Sequence, residues 1–288
     1  MNFIGEIRKN ELDRIGKIIR SISSNEILNA DEIKLSNKLS RIEEEIKAMF
    51  MKMQNDIAYL KKLEQVRTEF LGNVSHELRT PIFAIQGFLE TLLDGALEDP
   101  KVNRNFLLKA NQHTINLNNL LNDLIDISMI ESGQMKMSYR YFDIGEFLET
   151  IVAEMKSHIN DKPVELKLEP VRQKLQVFGD KDKLRQVMVN LIINAIKYTE
   201  KGSVEVGVIE EEKRCKIYVR DTGIGIAEKD LGRIFERFYR VDKDRSRAVG
   251  GTGLGLAIVK HIVDAHHSKT EVKSKLGKGS EFSFYLKK

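Results

Sequence analysis

The chain has 288 residues, a length that suits two compact domains. Its composition, 41% hydrophobic and 31% charged, is typical of a soluble globular protein and excludes a disordered or membrane-embedded one. The 47 basic and 43 acidic residues nearly balance, and no basic block with interleaved aromatic residues occurs, so we expect no nucleic-acid partner.

Cysteine content and hydropathy indicate the compartment. The single cysteine, Cys215, cannot form an internal disulfide, which favours a reducing environment. No window approaches the roughly 18 consecutive apolar residues of a membrane span, and the first residues do not resemble a signal peptide. The sequence therefore predicts a cytoplasmic protein.

The N-terminal part is predicted to be helical in two segments. Residues 1–38 contain scattered isoleucines and a Ser/Asn-rich break at 21–31, and they indicate no packing partner. From residue 39 apolar side chains recur every three or four positions, as in a coiled-coil seam, which we assign to 39–65. One long amphipathic helix on a protein core is the alternative. The seam positions are Leu39, Ile42, Ile46, Met49 and Met53, then, with altered spacing, Ile57, Leu60, Leu63, Val66, Phe70 and Val74.

Residues 66–133 predict a helical hairpin. The first helix continues past His76 to about Leu93 with a kink at Pro81, and the turn 94–100 leads into a second amphipathic helix that Gly133 can cap. Two antiparallel helices bury little surface, whereas two copies make a four-helix bundle. We therefore expect a homodimer, the alternative being a single hairpin packed on the next domain.

After a linker at 134–141 the pattern changes to alternating strands and helices over 142–288. Strands are predicted at 164–169, 203–210, 214–221, 269–275 and 280–287, and helices at 143–159, 180–199 and 252–267. Segments 203–210 and 214–221 have the pattern of neighbouring antiparallel strands. Strands with helices on one face make an α/β two-layer sandwich of about 145 residues.

Two glycine clusters interrupt this domain, "DTGIGI" (221–226) and "GGTGLGL" (250–256). Neither matches the dinucleotide fingerprint or the P-loop. The second cluster leads directly into an apolar helix, where glycines allow close backbone approach and the helix N-terminus offers free N–H groups to an anion. By itself, Asp221 could simply be a turn-forming residue.

A polar face on the helix 180–199 favours a ligand site. Asn190, Asn194 and Lys197 are spaced i, i+4 and i+7, which places them on one side of an otherwise apolar helix. Amide oxygens suit Mg²⁺, and a lysine one turn further suits a phosphate. Surface asparagines without a ligand are the alternative.

Together these elements resemble the Bergerat-type ATP-binding domain shared by histidine kinases, type II topoisomerases, Hsp90-type chaperones and mismatch-repair ATPases. The resemblance covers about 142–286. "NLIINAIKY" is similar to the family's N box, "DTGIGI" to its G1 box, "IFERFYR" (234–240) to its F box and "GGTGLGL" to its G2 box. The four boxes occur in the family's order.

The resemblance implies a role for each matched position. Asn194 would ligate Mg²⁺ with Asn190 beside it, Lys197 would contact phosphate, Tyr198 would lie along the nucleotide, and Asp221 would accept the adenine amino group's hydrogen bond. The remaining implied ATP-site residues are Gly223, Gly225, Phe238, Gly251, Thr252, Gly253, Leu254 and Gly255. Residues 228–249, with Arg233, Arg237, Arg240, Arg245 and Arg247, would form a lid over ATP.

One position separates the branches of this superfamily. The ATP-hydrolysing branches carry a water-activating glutamate four residues before the Mg²⁺ asparagine, where this chain has Asn190. An amide cannot accept a proton at neutral pH, so hydrolysis by this site is disfavoured. The γ-phosphoryl group should have another acceptor.

That acceptor is suggested by "SHELRTP" (75–81), which resembles the H box of two-component sensor histidine kinases, and 66–286 fits that family's catalytic core. His76 would be the nucleophile and Glu77 would orient its ring and accept its proton. Thr80 would position a water for dephosphorylating a response-regulator partner, whose receiver-domain aspartate would accept the phosphoryl group. The alternatives are a core histidine, a metal ligand that lacks a second His or Cys one turn away, and a Thr80 hydroxyl that only caps the turn before Pro81.

Two departures from the family pattern stand out. The G2 helix ends in "HHS" (266–268) where such kinases often have His-Gly-Gly, which leaves the geometry of that turn open. No membrane span precedes the coiled coil, so the chain is either the cytoplasmic part of a membrane-anchored sensor or a soluble kinase with input through its N-terminal helices. The rival functions are a chaperone- or topoisomerase-like ATPase and a nucleotide-binding scaffold.

Overall fold

The computed structural model describes residues 3–24, 26, 29–159, 162–241 and 251–288. The chain divides into two compact units, Met1–Val74 and Ser75–Lys288. Within the described residues, no helix is long and apolar enough to cross a membrane.

The first unit contains helix α1 (Phe3–Ser23) and the start of helix α2 (Ser40–Leu93). A small core forms where Ile22 and Ile33 meet Ile46 and Phe50 of α2, with Met53 packed against them. Two predicted coiled-coil positions, 46 and 53, are thus covered by the chain's own N-terminal segment. Other seam residues are exposed: Ile42, Met49, Leu60, Leu63 and Val66.

The predicted hairpin is present in the second unit. Helix α2 passes through Pro81 and ends at Leu93, and helix α3 (Asn103–Glu131) follows. At the end of α3, Gly133 has a φ of +66°, and the amides of Gly133 and Gln134 donate to the carbonyls of Ile130 and Met129 at 3.1 and 2.9 Å. This is the glycine cap that the sequence predicts.

Aromatic contacts fix the register of the hairpin. The Phe88 ring of α2 lies 5.8 Å from Phe106 and 5.9 Å from His113 of α3, between centroids. One face of α3 is buried, through Ala110, Leu120 and Ile127. Much of its apolar surface remains exposed: Leu107, Leu108, Ile115, Leu121, Ile125 and Met129.

The rest of the second unit is an α/β sandwich, as predicted, followed here from Arg140 to Lys287. Its strands are β1 (Arg140–Asp143), β2 (Val164–Leu168), β3 (Gln176–Gly179), β4 (Gly202–Glu210), β5 (Arg214–Asp221), β6 (Glu271–Lys275) and β7 (Gly279–Lys287). Its helices are α4 (Ile144–Met155), α5 (Lys181–Tyr198), α6 (Glu228–Leu231) and α7 (Gly255–Ala265). The sheet formed by the described residues has the order β1-β3-β7-β5-β4-β2, with β6 beside β7.

The pairing of the strands agrees with the sequence prediction where that prediction is specific. Strands β4 and β5 are antiparallel neighbours, with Val206 opposite Val219, and only β2–β4 is parallel among the described pairs. Helix α5 packs against α4, α7 and the central strands, and its Leu184, Met188 and Ile192 are fully buried. The core therefore lies between the helices and one face of the sheet.

Three local predictions need correction. Strand β1 begins inside the segment predicted as linker, and the sequence does not predict β3, because four-residue strands are too short to show alternation. Helix α7 begins at Gly255 rather than at 252.

The turn after α7 forms without the family's glycines. His267 adopts a left-handed φ of +56°, the conformation that a glycine would take more easily. The buried His266 ring accepts a hydrogen bond from the Asp180 amide at 2.9 Å through Nε2, and its Nδ1 donates to the Ile262 carbonyl at 2.7 Å. Burial lowers the pKa of His266, which favours the neutral ring that this pairing requires.

Candidate active site

A cavity of about 410 Å³ opens beside the C-terminal half of α5. Its volume suits a small organic ligand. The apolar part of its wall includes Ile224, Ile226, Ile234, Leu256, Leu276 and Phe282. The polar part includes Asn194, Lys197, Tyr198, Asp221, Arg240 and Ser280. An apolar cavity with a few polar side chains suits a ring system joined to an anionic group.

Asp221 supplies a buried acceptor in this wall. It ends β5 with 7% of its surface exposed, and its Oδ1 accepts the Gly223 amide at 2.8 Å. Burial raises the pKa of Asp221, while hydrogen bonds from the Gly223 and Ser280 amides lower it. A carboxylate held this way can accept one further hydrogen bond from a ligand, such as that of an exocyclic amine.

Lys197 supplies the cationic counterpart. Burial, together with the like charge of Arg240, lowers the pKa of Lys197 to about 8. An anion bound beside this lysine would raise its pKa again, because the charged form gains an ion-pair partner. A Cβ added at Gly251 would lie only 2.5 Å from Lys197 Nζ. The absence of a side chain at Gly251 therefore provides the space that this ammonium group occupies.

Nucleotide affinity should consequently depend on pH. If Lys197 contacts phosphate, as the family resemblance implies, only its protonated form would attract that phosphate. ADP affinity is then expected to be steady below pH 8 and to fall above it, by up to about tenfold per pH unit. Titration calorimetry between pH 7 and 10 would measure this. In Lys197→Arg the guanidinium stays charged and the fall should vanish; an equal fall in that variant would contradict the assignment.

The second glycine cluster lies against the same helix. A Cβ at Gly255 would meet the Asn190 side chain, whose Nδ2 is 3.4 Å from the Gly255 carbonyl. Gly253 has a φ of +72°, and its carbonyl accepts the Phe238 amide at 3.0 Å. The structure thus brings Asn190, the F-box segment and the glycine loop together. Arg240 and Leu256 of these segments line the cavity, whereas Asn190, Phe238 and Gly253 are not among its lining residues.

Two residues of this loop have other contacts. Leu254 is fully buried, so its side chain belongs to the core. The Thr252 hydroxyl donates to Asp123 Oδ2 of α3 at 3.1 Å and accepts the Leu254 amide at 3.2 Å. Thr252 therefore faces the helical hairpin as well as the glycine loop.

The lid predicted at 228–249 is described only as far as residue 241. Arg233 pairs with Glu236, Arg237 pairs with Glu131 of α3, and Arg240 lines the cavity. Arg245, Arg247 and Gly250 lie outside the described residues.

A magnesium ion would need phosphate oxygens of a bound nucleotide, in addition to protein oxygens, to be held at this site. Among the described residues, no group of three His, Cys, Asp or Glu could hold a metal. Mg²⁺ commonly takes one or two protein oxygens and completes its shell with phosphate oxygens and water. The side-chain oxygens of Asn194 and Asn190 would be the protein's contribution.

His76 lies on α2 and is not among the residues that line the cavity. Its side chain is 62% exposed in the single chain, so it does not belong to the core of its own hairpin. Its Nδ1 is 3.9 Å from Glu77 Oε1, and the Thr80 hydroxyl donates to the His76 carbonyl at 3.3 Å. The ring is accessible, with a carboxylate on its Nδ1 side.

Part of the cavity wall lies outside the motifs that the sequence shows. Four apolar wall residues fall within those motifs, although the sequence does not assign them to the site: Ile224 and Ile226 in the G1 box, Ile234 in the F box and Leu256 in the G2 box. Leu276, Ser280 and Phe282 come from β7 and the turn before it, and Lys162, whose Nζ lies 3.3 Å from the Ile196 carbonyl, precedes β2. Nothing local in the sequence marks these positions, because pairing of β5 with β7 brings them in.

Fold and site together define a helical hairpin that carries an exposed histidine, joined to an α/β domain that carries a ligand-sized cavity. Two family models match: the His Kinase A (phospho-acceptor) domain over residues 66–133, and the histidine kinase-, DNA gyrase B- and HSP90-like ATPase over 179–288. The first contains the exposed His76 and the second contains most of the cavity.

Curated relatives agree with this class. Sensor histidine kinase WalK of Bacillus subtilis is 39% identical over 234 residues, covering 80% of this chain and 38% of WalK. The phosphate regulon sensor protein PhoR of Pseudomonas aeruginosa is 38% identical over 235 residues, covering 80% of this chain and 52% of PhoR. The chain thus spans about half or less of the length of these relatives.

Solved structures give the same result. Histidine kinase AdeS of Acinetobacter baumannii superimposes with a TM-score of 0.61 at 26% identity, covering 74% of this chain and 97% of AdeS. Full-length ShkA in complex with AMPPNP has a TM-score of 0.56 at 28% identity, covering 77% of this chain and 45% of ShkA. The chain belongs to the sensor histidine kinase family.

Proposed function

We propose that the chain is an ATP-dependent protein histidine kinase that autophosphorylates His76. The observation that carries the proposal is the exposed imidazole of His76 with the Glu77 carboxylate 3.9 Å from its Nδ1. This distance exceeds a hydrogen bond, but such contacts often shorten only when the reacting groups assemble. ATP is the donor that the ATP-binding domain supplies.

In the proposed transfer, Nε2 of His76, the nitrogen away from Glu77, attacks the γ-phosphorus of ATP and forms the P–N bond. The bond from that phosphorus to the β–γ bridging oxygen breaks, and ADP leaves. Glu77 accepts the proton from Nδ1. Lys197 and Arg240 offset charge on the phosphates, and Mg²⁺, held by Asn194 and Asn190, would add Lewis-acid neutralisation when bound.

Asn190 supports transfer to a side chain rather than to water. It stands where the hydrolysing relatives carry a base, and its amide Nδ2 is within 3.4 Å of the Gly255 carbonyl. An amide cannot activate water. The rival ATPase function therefore lacks its base at this position.

The onward acceptor in this proposal is a receiver-domain aspartate of a response regulator, which docks on the hairpin near His76. Thr80, exposed one turn after His76, would position water to dephosphorylate that regulator. The exposed apolar side chains of α2 and α3 support a homodimer, in which a second hairpin covers them in a four-helix bundle. The predicted boundaries (39–65 coiled coil, 66–133 phosphotransfer domain, 142–288 ATP-binding domain) remain part of the proposal.

Incubation with γ-labelled ATP and Mg²⁺ tests the function. The kinase is expected to acquire protein-bound label that is stable in base and labile in acid, as a P–N bond requires. Rapid release of labelled phosphate without labelled protein would favour the ATPase. Nucleotide binding with neither label nor phosphate release would favour the scaffold.

A further inference from the structure

Three acidic side chains near the end of α3 contact the ATP-binding domain. Asp123 accepts the Thr252 hydroxyl at 3.1 Å, and Asp126 accepts Lys183 Nζ at 2.9 Å and Gln186 Nε2 at 2.7 Å. Glu131 pairs with Arg237. The partners belong to the glycine loop, the first turns of α5 and the F-box segment. One face of α3 is therefore the surface on which the ATP-binding domain packs.

The contact between Asp123 and Thr252 lies at the same level along the hairpin axis as His76. Phe88 of α2 packs between Phe106 and His113 of α3. Both helices rise about 1.5 Å per residue and run antiparallel. His76 is twelve residues before Phe88, so the α3 positions at its height are twelve residues after that pair, in the range 118–125. This range contains Asp123.

From this register we infer that Asp123 is a positioning residue for phosphoryl transfer, anchoring the glycine loop through the Thr252 hydroxyl at the height of His76. The inference rests on the proposed kinase function. Transfer depends on alignment of the donor phosphate with the nucleophile more than on covalent help from the protein. A fixed link between the loop that borders the phosphate site and the helix beside His76 restricts that alignment.

The chemistry of the contact suits an anchor. Asp123 is half-buried; burial raises its pKa to about 6, against the lowering effect of the Thr252 hydrogen bond, and Asp126 adds to the rise. At neutral pH the carboxylate is still charged, so Thr252 donates to an ionised acceptor, a stronger bond than a neutral one. The same hydroxyl accepts the Leu254 amide at 3.2 Å, which ties the anchor to the start of α7.

The test separates the rate of transfer from nucleotide binding. Asp123→Ala is expected to lower the autophosphorylation rate at saturating ATP about tenfold, with ADP affinity within about twofold of wild type. Asp123→Asn keeps an oxygen that accepts the Thr252 hydroxyl, so it should recover most of the rate. Glu98→Ala, which removes an exposed carboxylate at the hairpin turn, is the matched control and should behave as wild type. Thermal unfolding would verify that every variant is folded.

Four outcomes would overturn the inference. Asp123→Ala could keep the wild-type rate, could show a raised rate, which would make the contact an inhibitory latch, or could lose rate and ADP affinity equally. The fourth outcome is failure of Asp123→Asn to recover activity. If the wild-type protein acquires no label on His76, the proposed function itself fails, and that is established before any variant is compared.

Discussion

Asp221→Asn is expected to weaken ADP binding about 10- to 100-fold, the equivalent of about 1.5–3 kcal/mol. The carboxylate now accepts the Gly223 and Ser280 amides and has capacity for one further donor. An asparagine has only one acceptor oxygen. Its NH₂ group is a donor, and it would face another donor, either a backbone N–H or the amino group of adenine. Titration calorimetry with ADP measures the loss.

The base itself provides a sharper test of Asp221. Adenine carries an amino donor at the position where guanine carries a carbonyl acceptor. The NH₂ group that the Asp221→Asn substitution introduces can donate to that carbonyl, so the preference for ADP over GDP should narrow in this variant. Asp182→Asn, exposed at the start of α5, is the control and should leave both affinities unchanged. An equal loss for ADP and GDP would show that Asp221 does not read the base.

Gly223→Ala is expected to abolish measurable ADP binding and to lower the melting temperature. A Cβ at this position would overlap the Tyr198 carbonyl oxygen and lie 2.8 Å from Asp221 Oδ1. Both neighbours are fixed, one by helix α5 and one by its hydrogen bonds, so the turn must shift, at a cost of about 1–3 kcal/mol or more. ADP titration and thermal unfolding report the two effects.

Gly232→Ala is the matched control for this substitution. Among the described residues, and apart from the chain neighbours of Gly232, no heavy atom lies within 4 Å of a Cβ at this position, and its φ is −70°. It should therefore leave ADP affinity and melting temperature close to wild type. ADP binding retained in Gly223→Ala would mean that the close approach of this turn to α5 is not required for the nucleotide site.

The polar side of the site can be predicted from the sequence because it lies in short continuous segments. Asn194 and Lys197 share a helix face by their spacing, and Asp221 ends a strand whose alternation is clear. The end of α3 is predictable for the same reason, since Gly133 marks it locally, whereas the start of α7 lies three residues later than predicted. Periodicity and caps are local properties, and the structure confirms the hairpin helices and the strands β4 and β5 that depend on them.

Features that depend on distant pairing could not be predicted. Strands β1 and β3 are short and are defined by each other, with Tyr141 opposite Phe178. The link from Asp123 to Thr252 joins residues 129 positions apart. The N-terminal segment packs on Ile46, a position that the predicted coiled coil would place against a partner helix. A hydrophobic stripe in the sequence does not show which of these partners buries it.

Protein-bound label from γ-labelled ATP, measured in wild type and in His76→Gln, tests the assignment of His76 as the phosphoacceptor most directly. His113→Gln on α3 is the matched histidine control. Wild type and His113→Gln are expected to acquire acid-labile, base-stable label, and His76→Gln is expected to acquire none while still binding ADP. Label that persists in His76→Gln would contradict the assignment of His76 as the phosphoacceptor.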